Sequence, residues 1–227
     1  MTEPLFDQSE RYDDMLQMGL SLSGEDKHYF IQGRLVELRS QLPPEWVPRH
    51  ILDFGCGGGD TSAALAEAFP GAEVVGADIS DPTLQEASTR HSSGRVSFCL
   101  ASALDSAGPF DLCYVNGAFH HIAPPERGAA LTIIHRSLAP GGYLALFENN
   151  PWNPGARLVM RRIPFDRGAE MLRPATCSRL IRHAGFSEVR RTRSLFYFPK
   201  PLAALRGLEP WLSRLPWGAQ YYVLARR

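Results

Sequence analysis

The chain has 227 residues, of which 44% are hydrophobic and 21% charged. These values are near the average for globular proteins, so they exclude a collagen-like, coiled-coil or wholly disordered chain. Four scattered cysteines, and apolar runs that all fall short of roughly 18 residues, argue against a zinc ribbon, a disulfide scaffold and a membrane span. We expect a single domain located in the cytoplasm.

Charge is unevenly distributed along the chain. Residues 1–150 contain 9 Lys and Arg against 20 Asp and Glu, whereas residues 151–227 contain 15 against 4. The two parts therefore have net charges of −11 and +11. This pattern predicts either two parts that attract each other within one fold, or a basic surface that receives anions.

Two helices are predicted in residues 1–46, as a cap that precedes the core. From residue 50 onward, short apolar segments alternate with amphipathic ones, which is typical of a mostly parallel α/β sheet. A helix after the second strand is predicted to begin at Ser80 and Asp81, with Pro82 in its first turn. Five strands are predicted here, at residues 50–55, 72–78, 96–100, 110–117 and 143–149.

Residues 150–173 contain three prolines and several arginines without a clear period, and they are predicted to form a lid. The remaining chain, residues 174–227, predicts a helix, a strand at 188–198, a helical segment at 202–215 and a closing strand at 219–227. We therefore predict one domain, residues 1–227, with its core at residues 47–149. Its fold class is α/β, with a Rossmann-like seven-stranded, mostly parallel sheet and helices on both faces.

The turn after the first strand has the pattern D-x-G-x-G-x-G, at Asp53, Gly55, Gly57 and Gly59. Glycines let a ligand approach the main chain, and the N–H groups that open the next helix favour a carboxylate or phosphate. A dinucleotide fingerprint requires a third glycine where this chain has Asp60. The loop therefore predicts a nucleotide-like ligand and disfavours a dinucleotide.

Three further motifs follow in order: GADIS at 76–80, FDLCYVNGAFHHI at 110–122 and RSLAPGGYLAL at 136–146. Together with the glycine loop they cover roughly residues 48–148 and closely resemble the class I S-adenosylmethionine-dependent methyltransferases. The resemblance implies the Rossmann-like fold, S-adenosylmethionine as the cofactor, and transfer of its methyl group to an acceptor.

The resemblance also implies which residues hold the cofactor. Asp78 would accept hydrogen bonds from the ribose hydroxyls, or else cap the following helix. Ile79 would pack on the adenine or else in the core, and Asp53 would orient the loop and meet the ammonium group. Cys56 is expected as a small apolar side chain rather than a nucleophile. The predicted cofactor-binding set is Asp53, Gly55, Cys56, Gly57, Gly59, Asp78, Ile79, Ser102, Ala103 and Asn116.

The chain departs from the family after the third strand. The family commonly has Gly-Asp-Ala there, with the acid near the adenine amino group, whereas this chain has Ala101, Ser102 and Ala103. A serine hydroxyl accepts a hydrogen bond more weakly than a carboxylate. The adenine contact is therefore left open between the Ser102 side chain and the backbone of Ser102 and Ala103.

His120 and His121 follow the fourth strand, at the mouth of the expected cleft. A histidine, with an ordinary pKa of about 6.5, suits removal of a proton from a hydroxyl or nitrogen acceptor. Either one is a candidate general base, and the alternative is a pair without a catalytic role. The spacing of His120, His121 and His135 predicts no metal site.

The acceptor is expected at the carboxyl end of the fifth strand, where ligands of open α/β sheets bind. Glu148, Asn149 and Trp152 leave the strand at this edge. Arg161 and Arg162 could hold a carboxylate or phosphate of the acceptor, or else lie in solvent or pair with the acidic part of the chain.

We therefore predict a methyltransferase that methylates an oxygen or nitrogen of a small molecule, in bacterial secondary metabolism or sugar tailoring. A nucleotide-cofactor oxidoreductase and a non-catalytic binding protein of the same fold are the alternatives. No RNA-binding motif accompanies the arginines, so nucleic acid is not an expected partner, and neither is a membrane. The chain is expected to be a monomer or a homodimer.

Overall fold

The computed structural model describes residues 9–166 and 168–227, and the first eight residues of the predicted cap lie outside this part. The helices are α1 (Ser9–Leu20), α2 (Lys27–Gln41), α3 (Asp60–Ala68), α4 (Asp81–His91), α5 (Arg127–Ser137), α6 (Pro154–Arg162), α7 (Pro174–His183) and α8 (Glu209–Leu212). The strands are β1 (His50–Phe54), β2 (Glu73–Asp78), β3 (Val96–Leu100), β4 (Phe110–Asn116), β5 (Leu138–Asn149), β6 (Glu188–Val189), β7 (Arg193–Leu195) and β8 (Gln220–Arg226). No helix within the described ranges is long and apolar enough to cross a membrane.

One sheet of eight strands forms the centre of the molecule, in the order β3-β2-β1-β4-β5-β8-β6, with β7 also paired to β8. The first five strands run parallel, and β8 is antiparallel to β5. The predicted Rossmann-like α/β fold is confirmed, whereas the predicted number of seven strands is wrong.

The extra strand arises because the segment predicted as one strand, residues 188–198, forms both β6 and β7. Each pairs antiparallel with β8. Arg190 lies between the two strands and Arg193 begins β7. Their guanidinium groups both donate hydrogen bonds to Gln41 at the end of α2. The helical segment predicted at 202–215 is also divided, into a 3-10 helix (Lys200–Leu208) and the short α8.

The core consists of two apolar clusters, one on each face of the sheet. Strand β4 shows the alternation directly, because Leu112 and Tyr114 join the cluster that contains residues of α2 and α3. Cys113 and Val115 join the cluster that contains residues of α5 and α7. Parallel strands that are covered on both faces are typical of this architecture. The packing fixes the ends of the strands, and with them the residues of the site.

The cap and the lid meet above the carboxyl ends of the parallel strands. A Cβ atom on Gly19 of α1 would collide with the side chain of Ile163, just after α6, so the two segments are in close contact. Farther along the lid, the N–H of Glu170 donates a hydrogen bond to the carbonyl oxygen of His120. The lid is therefore attached both to the cap and to the loop after β4.

Candidate active site

A cleft of about 610 Å³ opens at the carboxyl ends of the parallel strands, where open α/β sheets bind their ligands. The cap contributes Leu16 and Leu20 to its wall, and the lid contributes Val159 and Ile163. Several residues singled out in the sequence also line it: Asp53, Gly55, Cys56, Gly57, Asn116, His120, His121 and Asn149.

The glycine loop passes from β1 over the end of β2. The N–H groups of Gly55 and Cys56 both donate to the carbonyl oxygen of Ala77, and Gly57 has a φ of +50°, which favours glycine. A Cβ atom on Gly57 would meet no protein atom within 4 Å among the described residues. The main chain at Gly57 thus faces open space, as a ligand cradle requires.

Cys56 lies in this loop but is unsuited to nucleophilic chemistry. Its side chain is buried, and burial raises the pKa of the thiol well above its ordinary value. The nearby carboxylates of Asp53 and Asp78 add to this rise. The prediction that Cys56 acts as a small apolar residue agrees with these surroundings.

Asp53 is almost fully buried beneath the loop. Its Oδ2 atom accepts a hydrogen bond of 2.7 Å from the hydroxyl of Ser62. Burial raises the pKa of Asp53 to about 7; the Ser62 hydrogen bond opposes the rise, and the charge of Asp78 adds to it. Asp53 therefore responds to any positive charge that enters the cleft.

Asp78 ends β2 and holds the loop from the other side. One carboxylate oxygen accepts from the N–H of Gly57 at 3.0 Å, and the other accepts from Ile79 and Ser80 at 2.7 and 3.1 Å. The cap of α4 is formed by Ser80, as the sequence predicts, so Asp78 does not cap this helix itself.

The predicted adenine side is open to solvent. Ile79 is 81% exposed, and Ser102 and Ala103 are exposed in the 3-10 turn that follows β3. Strands β2 and β3 pair with Asp78 opposite Leu100, so these residues follow neighbouring strand ends. They lie outside the lining of the cleft, as does Gly59, whose Cβ position is blocked by Phe98.

Three polar side chains that lack a complete set of protein partners line the cleft. Arg34 of α2 is buried and donates to the hydroxyl of Tyr114 and to Gln220. No carboxylate lies within ion-pair distance of Arg34 in the described part of the chain. The buried side-chain oxygens of Asn116 and Tyr197 have no hydrogen-bond partner among the described residues. Buried polar groups of this kind are typical of a site that a ligand completes.

The two histidines line the cleft and meet two carboxylates. His120 is buried, with Nδ1 at 2.7 Å from Glu148 Oε2 and Nε2 at 3.3 Å from Asp166 Oδ1. His121 Nε2 lies 3.2 Å from the same oxygen of Asp166, and its side chain is 21% exposed. Glu148 also accepts a hydrogen bond from the N–H of Phe119. We call His120, His121, Asp166 and Glu148 the histidine cluster.

These contacts separate the roles of the two histidines. Burial by itself lowers the pKa of His120, but the carboxylates of Glu148 and Asp166 outweigh it and raise the pKa to about 10. Burial also raises the pKa of Asp166, yet the hydrogen bonds from both histidines hold it below its ordinary value. Because both of its ring nitrogens are engaged, His120 is poorly placed as a general base, which corrects its predicted role.

The structure places several predicted acceptor-binding residues away from the cleft. Arg161 and Arg162 are exposed on α6, Trp152 is 48% exposed, and the three lie outside the cleft lining. Glu148 is fully buried behind His120, so it orients that ring instead of meeting the acceptor. Only Asn149 of this predicted set borders the cleft.

Sequence reasoning missed Arg34 and Asp166, which also line the cleft. Arg34 is one of several polar residues of α2, and Asp166 is one charge in an arginine-rich lid. The prediction of no metal site was based on histidine spacing alone. In the structure, Asp166 lies beside His120 and His121. One potential ligand atom from each of the three residues lies within 4.8 Å of the others.

Residues 51–142 match the family model described as a methyltransferase domain. The demethylmenaquinone methyltransferase of Thermus thermophilus is 39% identical over 132 residues, which cover 56% of this chain and 59% of that protein. The trans-aconitate 2-methyltransferase of Methylobacterium radiotolerans is 37% identical over 127 residues, which cover 54% of this chain and 46% of that protein. The chain thus spans about half the length of these relatives.

A solved structure shows the same fold. A SAM-dependent methyltransferase of Archaeoglobus fulgidus superposes with a TM-score of 0.62 at 18% identity, over 87% of this chain and 94% of that chain. The resemblance stated from the motifs is therefore confirmed. Residues 51–142 therefore resemble a methyltransferase domain, and the chain shares its fold with a solved SAM-dependent methyltransferase.

Proposed function

We propose that this chain is a methyltransferase that transfers the methyl group of S-adenosylmethionine to a small-molecule acceptor. One observation carries the proposal: the same cleft is lined by the glycine loop and by His120, His121 and Asp166. The loop provides an open main-chain cradle, and the three side chains provide polar groups for an acceptor. The methyltransferase family of residues 51–142 supports this assignment.

The residues of the cleft fit the cofactor. Asp78, which lies outside the cleft lining but bonds to Gly57 at its border, would accept from the ribose hydroxyls, and Gly57 leaves room for the ligand beside the main chain. Arg34 is placed to pair with the methionine carboxylate, and Asp53 with the ammonium group. The partnerless oxygen of Asn116 would gain a donor. Ile79, Ser102 and Ala103 remain the predicted adenine contacts.

S-adenosylmethionine supplies an activated methyl group, because a lone pair of the acceptor can bond to its carbon while the carbon–sulfur bond breaks and leaves a neutral thioether. The protein has to align the acceptor with that bond and exclude water. The cap and lid provide an apolar wall for this purpose. His121, which borders the cleft and contacts Asp166, is the residue that would take the proton of the acceptor.

The identity of the acceptor is also part of this proposal. The names of the relatives suggest trans-aconitate or demethylmenaquinone as acceptors to examine first. Methylation of an oxygen or nitrogen, and a place in bacterial secondary metabolism or sugar tailoring, stay predictions. The two candidate acceptors differ in charge, so they also test whether the cleft receives an anion.

The test is an assay of the full chain with S-adenosylmethionine and a panel of acids, quinols, phenols and amines. We expect an acceptor whose mass increases by one methyl group, with an equal amount of S-adenosylhomocysteine. Replacement of Arg34 by Met should weaken cofactor binding, whereas Arg162→Met, an exposed arginine outside the cleft, should not. Tight cofactor binding without transfer to any member of the panel would favour a non-catalytic binding protein.

A further inference from the structure

The histidine cluster brings three potential metal ligands to one point. The Nε2 atoms of His120 and His121 lie 3.3 and 3.2 Å from the same oxygen of Asp166. The chosen ligand atoms of the three residues lie within 4.8 Å of one another. Ligands placed about 2.0–2.2 Å from one ion are roughly 3.0–3.5 Å apart in tetrahedral or octahedral geometry. The measured separations from Asp166 fall in this interval.

A second carboxylate orients the first ligand. Glu148 lies 2.7 Å from Nδ1 of His120, and its other oxygen is held by the N–H of Phe119. A histidine that binds a metal through one nitrogen usually donates its other ring N–H to a carboxylate or carbonyl. Glu148 therefore directs the Nε2 atom of His120 toward Asp166, where an ion would lie.

The charges in the cluster call for a cation. The side chains of Glu148 and Asp166 are 0% and 3% exposed, and two buried carboxylates are costly unless positive charge accompanies them. In the absence of an ion, a protonated His120 provides this charge, with one ring N–H directed at each carboxylate. A divalent ion that displaces the Nε2 proton of His120 into solvent would be bound by all three residues and would provide the positive charge in its place.

We propose that His120, His121 and Asp166 bind one divalent first-row transition-metal ion at the edge of the cleft. Two imidazoles with one carboxylate suit zinc, iron or cobalt, whereas magnesium and calcium prefer oxygen ligands throughout. All three residues line the cleft, so an ion that they hold would border it.

The use of the ion rests on the proposed function, but its binding does not. An acceptor hydroxyl that occupies an open position would lose its proton more readily, because a bound cation stabilises the oxyanion. In that case His121 is a ligand and no longer a proton acceptor. Binding of the ion can be measured without cofactor and without acceptor, so failure of either proposal leaves the other intact.

The test is a titration of the chelator-treated full chain with Co²⁺, followed by visible absorption, with Zn²⁺ as the competitor. We expect a d–d absorption that saturates at one equivalent and disappears when Zn²⁺ is added. His121→Ala and Asp166→Asn should each weaken Co²⁺ binding by about 100-fold or more, since loss of even an outer-shell partner typically costs 10- to 100-fold. Glu148→Gln should weaken it by about 10- to 100-fold.

A matched control is available on α5. His135 packs against Phe186 away from the cluster, so His135→Ala should bind Co²⁺ like the parent protein. Asp166→Asn keeps the size of the side chain, so it provides a folded variant if Glu148→Gln or His121→Ala unfolds, as checked by circular dichroism. Absence of a saturable absorption, or equal binding by the parent and a folded Asp166→Asn, would overturn the proposal.

Discussion

Asp53 and Asp78 end neighbouring strands but have different surroundings. Asp53 is 2% exposed and accepts one side-chain hydrogen bond, whereas Asp78 accepts three hydrogen bonds from backbone N–H groups. Burial raises the pKa of Asp53, because it disfavours the charged carboxylate. Asp53 is therefore suited to sense charge, whereas Asp78, which bonds to Gly57 at the end of β2, is the residue that we expect to meet the ribose hydroxyls.

We expect Asp78→Ala to weaken binding of S-adenosylhomocysteine by about 10- to 100-fold, because hydrogen bonds to a charged acceptor are worth about 1.5–3 kcal/mol each. The loop would also lose its bond between Gly57 and Asp78. Isothermal titration calorimetry provides the measurement. Asp81→Ala is the control, since the Asp81 side chain bonds to the Gln85 side chain on the surface. Unchanged affinity in a folded Asp78→Ala would remove Asp78 from the site.

Asp53 should make stability depend on pH. Its pKa is about 7 in the folded state against an ordinary 3.8, so the folded protein holds this proton more tightly than the unfolded chain. The free energy of unfolding that Asp53 contributes is therefore highest below about pH 4, falls as the pH rises to about 7, and is constant above that.

Replacement by asparagine removes this dependence. Between pH 5 and pH 8, Asp53→Asn should gain about 2–3 kcal/mol of unfolding free energy relative to the parent protein, since each pKa unit corresponds to about 1.36 kcal/mol. Urea denaturation at the two pH values measures the difference. Ser62 can still donate to the amide oxygen, so the hydrogen bond is kept. Parallel pH profiles for the two proteins would contradict the raised pKa.

At the scale of elements, Arg127 of α5 joins the lid to the loop after β4. Its side chain is 3% exposed, with Nε donating to the carbonyl oxygens of Phe119 and Ile122 and Nη2 donating to that of Glu170. The loop carries the two histidines, and the lid carries Asp166. A single guanidinium thus holds together the two segments that form the histidine cluster.

We expect Arg127→Met to lower the free energy of unfolding by about 2–4 kcal/mol, because three carbonyl groups lose a charged donor. Cleavage by a protease should also become faster within residues 163–173, as the lid separates from the loop. Denaturation and limited proteolysis measure the two effects. Arg136→Met, an exposed arginine on the same helix, should change neither. A lid as resistant in Arg127→Met as in the parent would show that other contacts hold it.

At the scale of the whole molecule, the acidic and basic parts of the chain lie against each other. Arg206 is 2.7 Å from Glu25 and also lies 4.6 Å from the centre of the Tyr29 ring. Arg190 and Arg193 bond to Gln41 at the end of α2. The C-terminal part thus packs along the N-terminal helices, which favours attraction within the fold over a separate anion-binding surface.

Ligand binding should stabilise the whole fold. A ligand that binds only the folded state, at 100 times its Kd, adds about 2.7 kcal/mol. For a chain of this size that corresponds to a rise in Tm of roughly 5–10 °C. We expect this rise with S-adenosylhomocysteine and none with NAD, measured by differential scanning fluorimetry. A rise with NAD instead would support the oxidoreductase alternative.

Local patterns in the chain were enough to predict the parallel core, the start of α4 at Ser80, and the glycine loop with Asp78. These features depend on residues that are close in sequence, because strand periodicity, helix capping and tight turns each involve only a few neighbouring positions. The sequence also predicted that His120 and His121 lie at the cleft, because they follow β4 and parallel strands end at one edge of the sheet.

The histidine cluster and the position of the Arg34 guanidinium in the cleft depend on the packing of distant segments. Asp166 lies 46 positions after His120, and Arg34 lies 80 positions before Tyr114, so no local pattern connects them. Their roles depend on burial and on partners that different elements contribute. The same holds for Glu148, which packing turns toward His120, and for Arg161 and Arg162, which α6 leaves in solvent. The sequence specifies the type of each side chain, whereas its burial and its partners are decided by the tertiary structure.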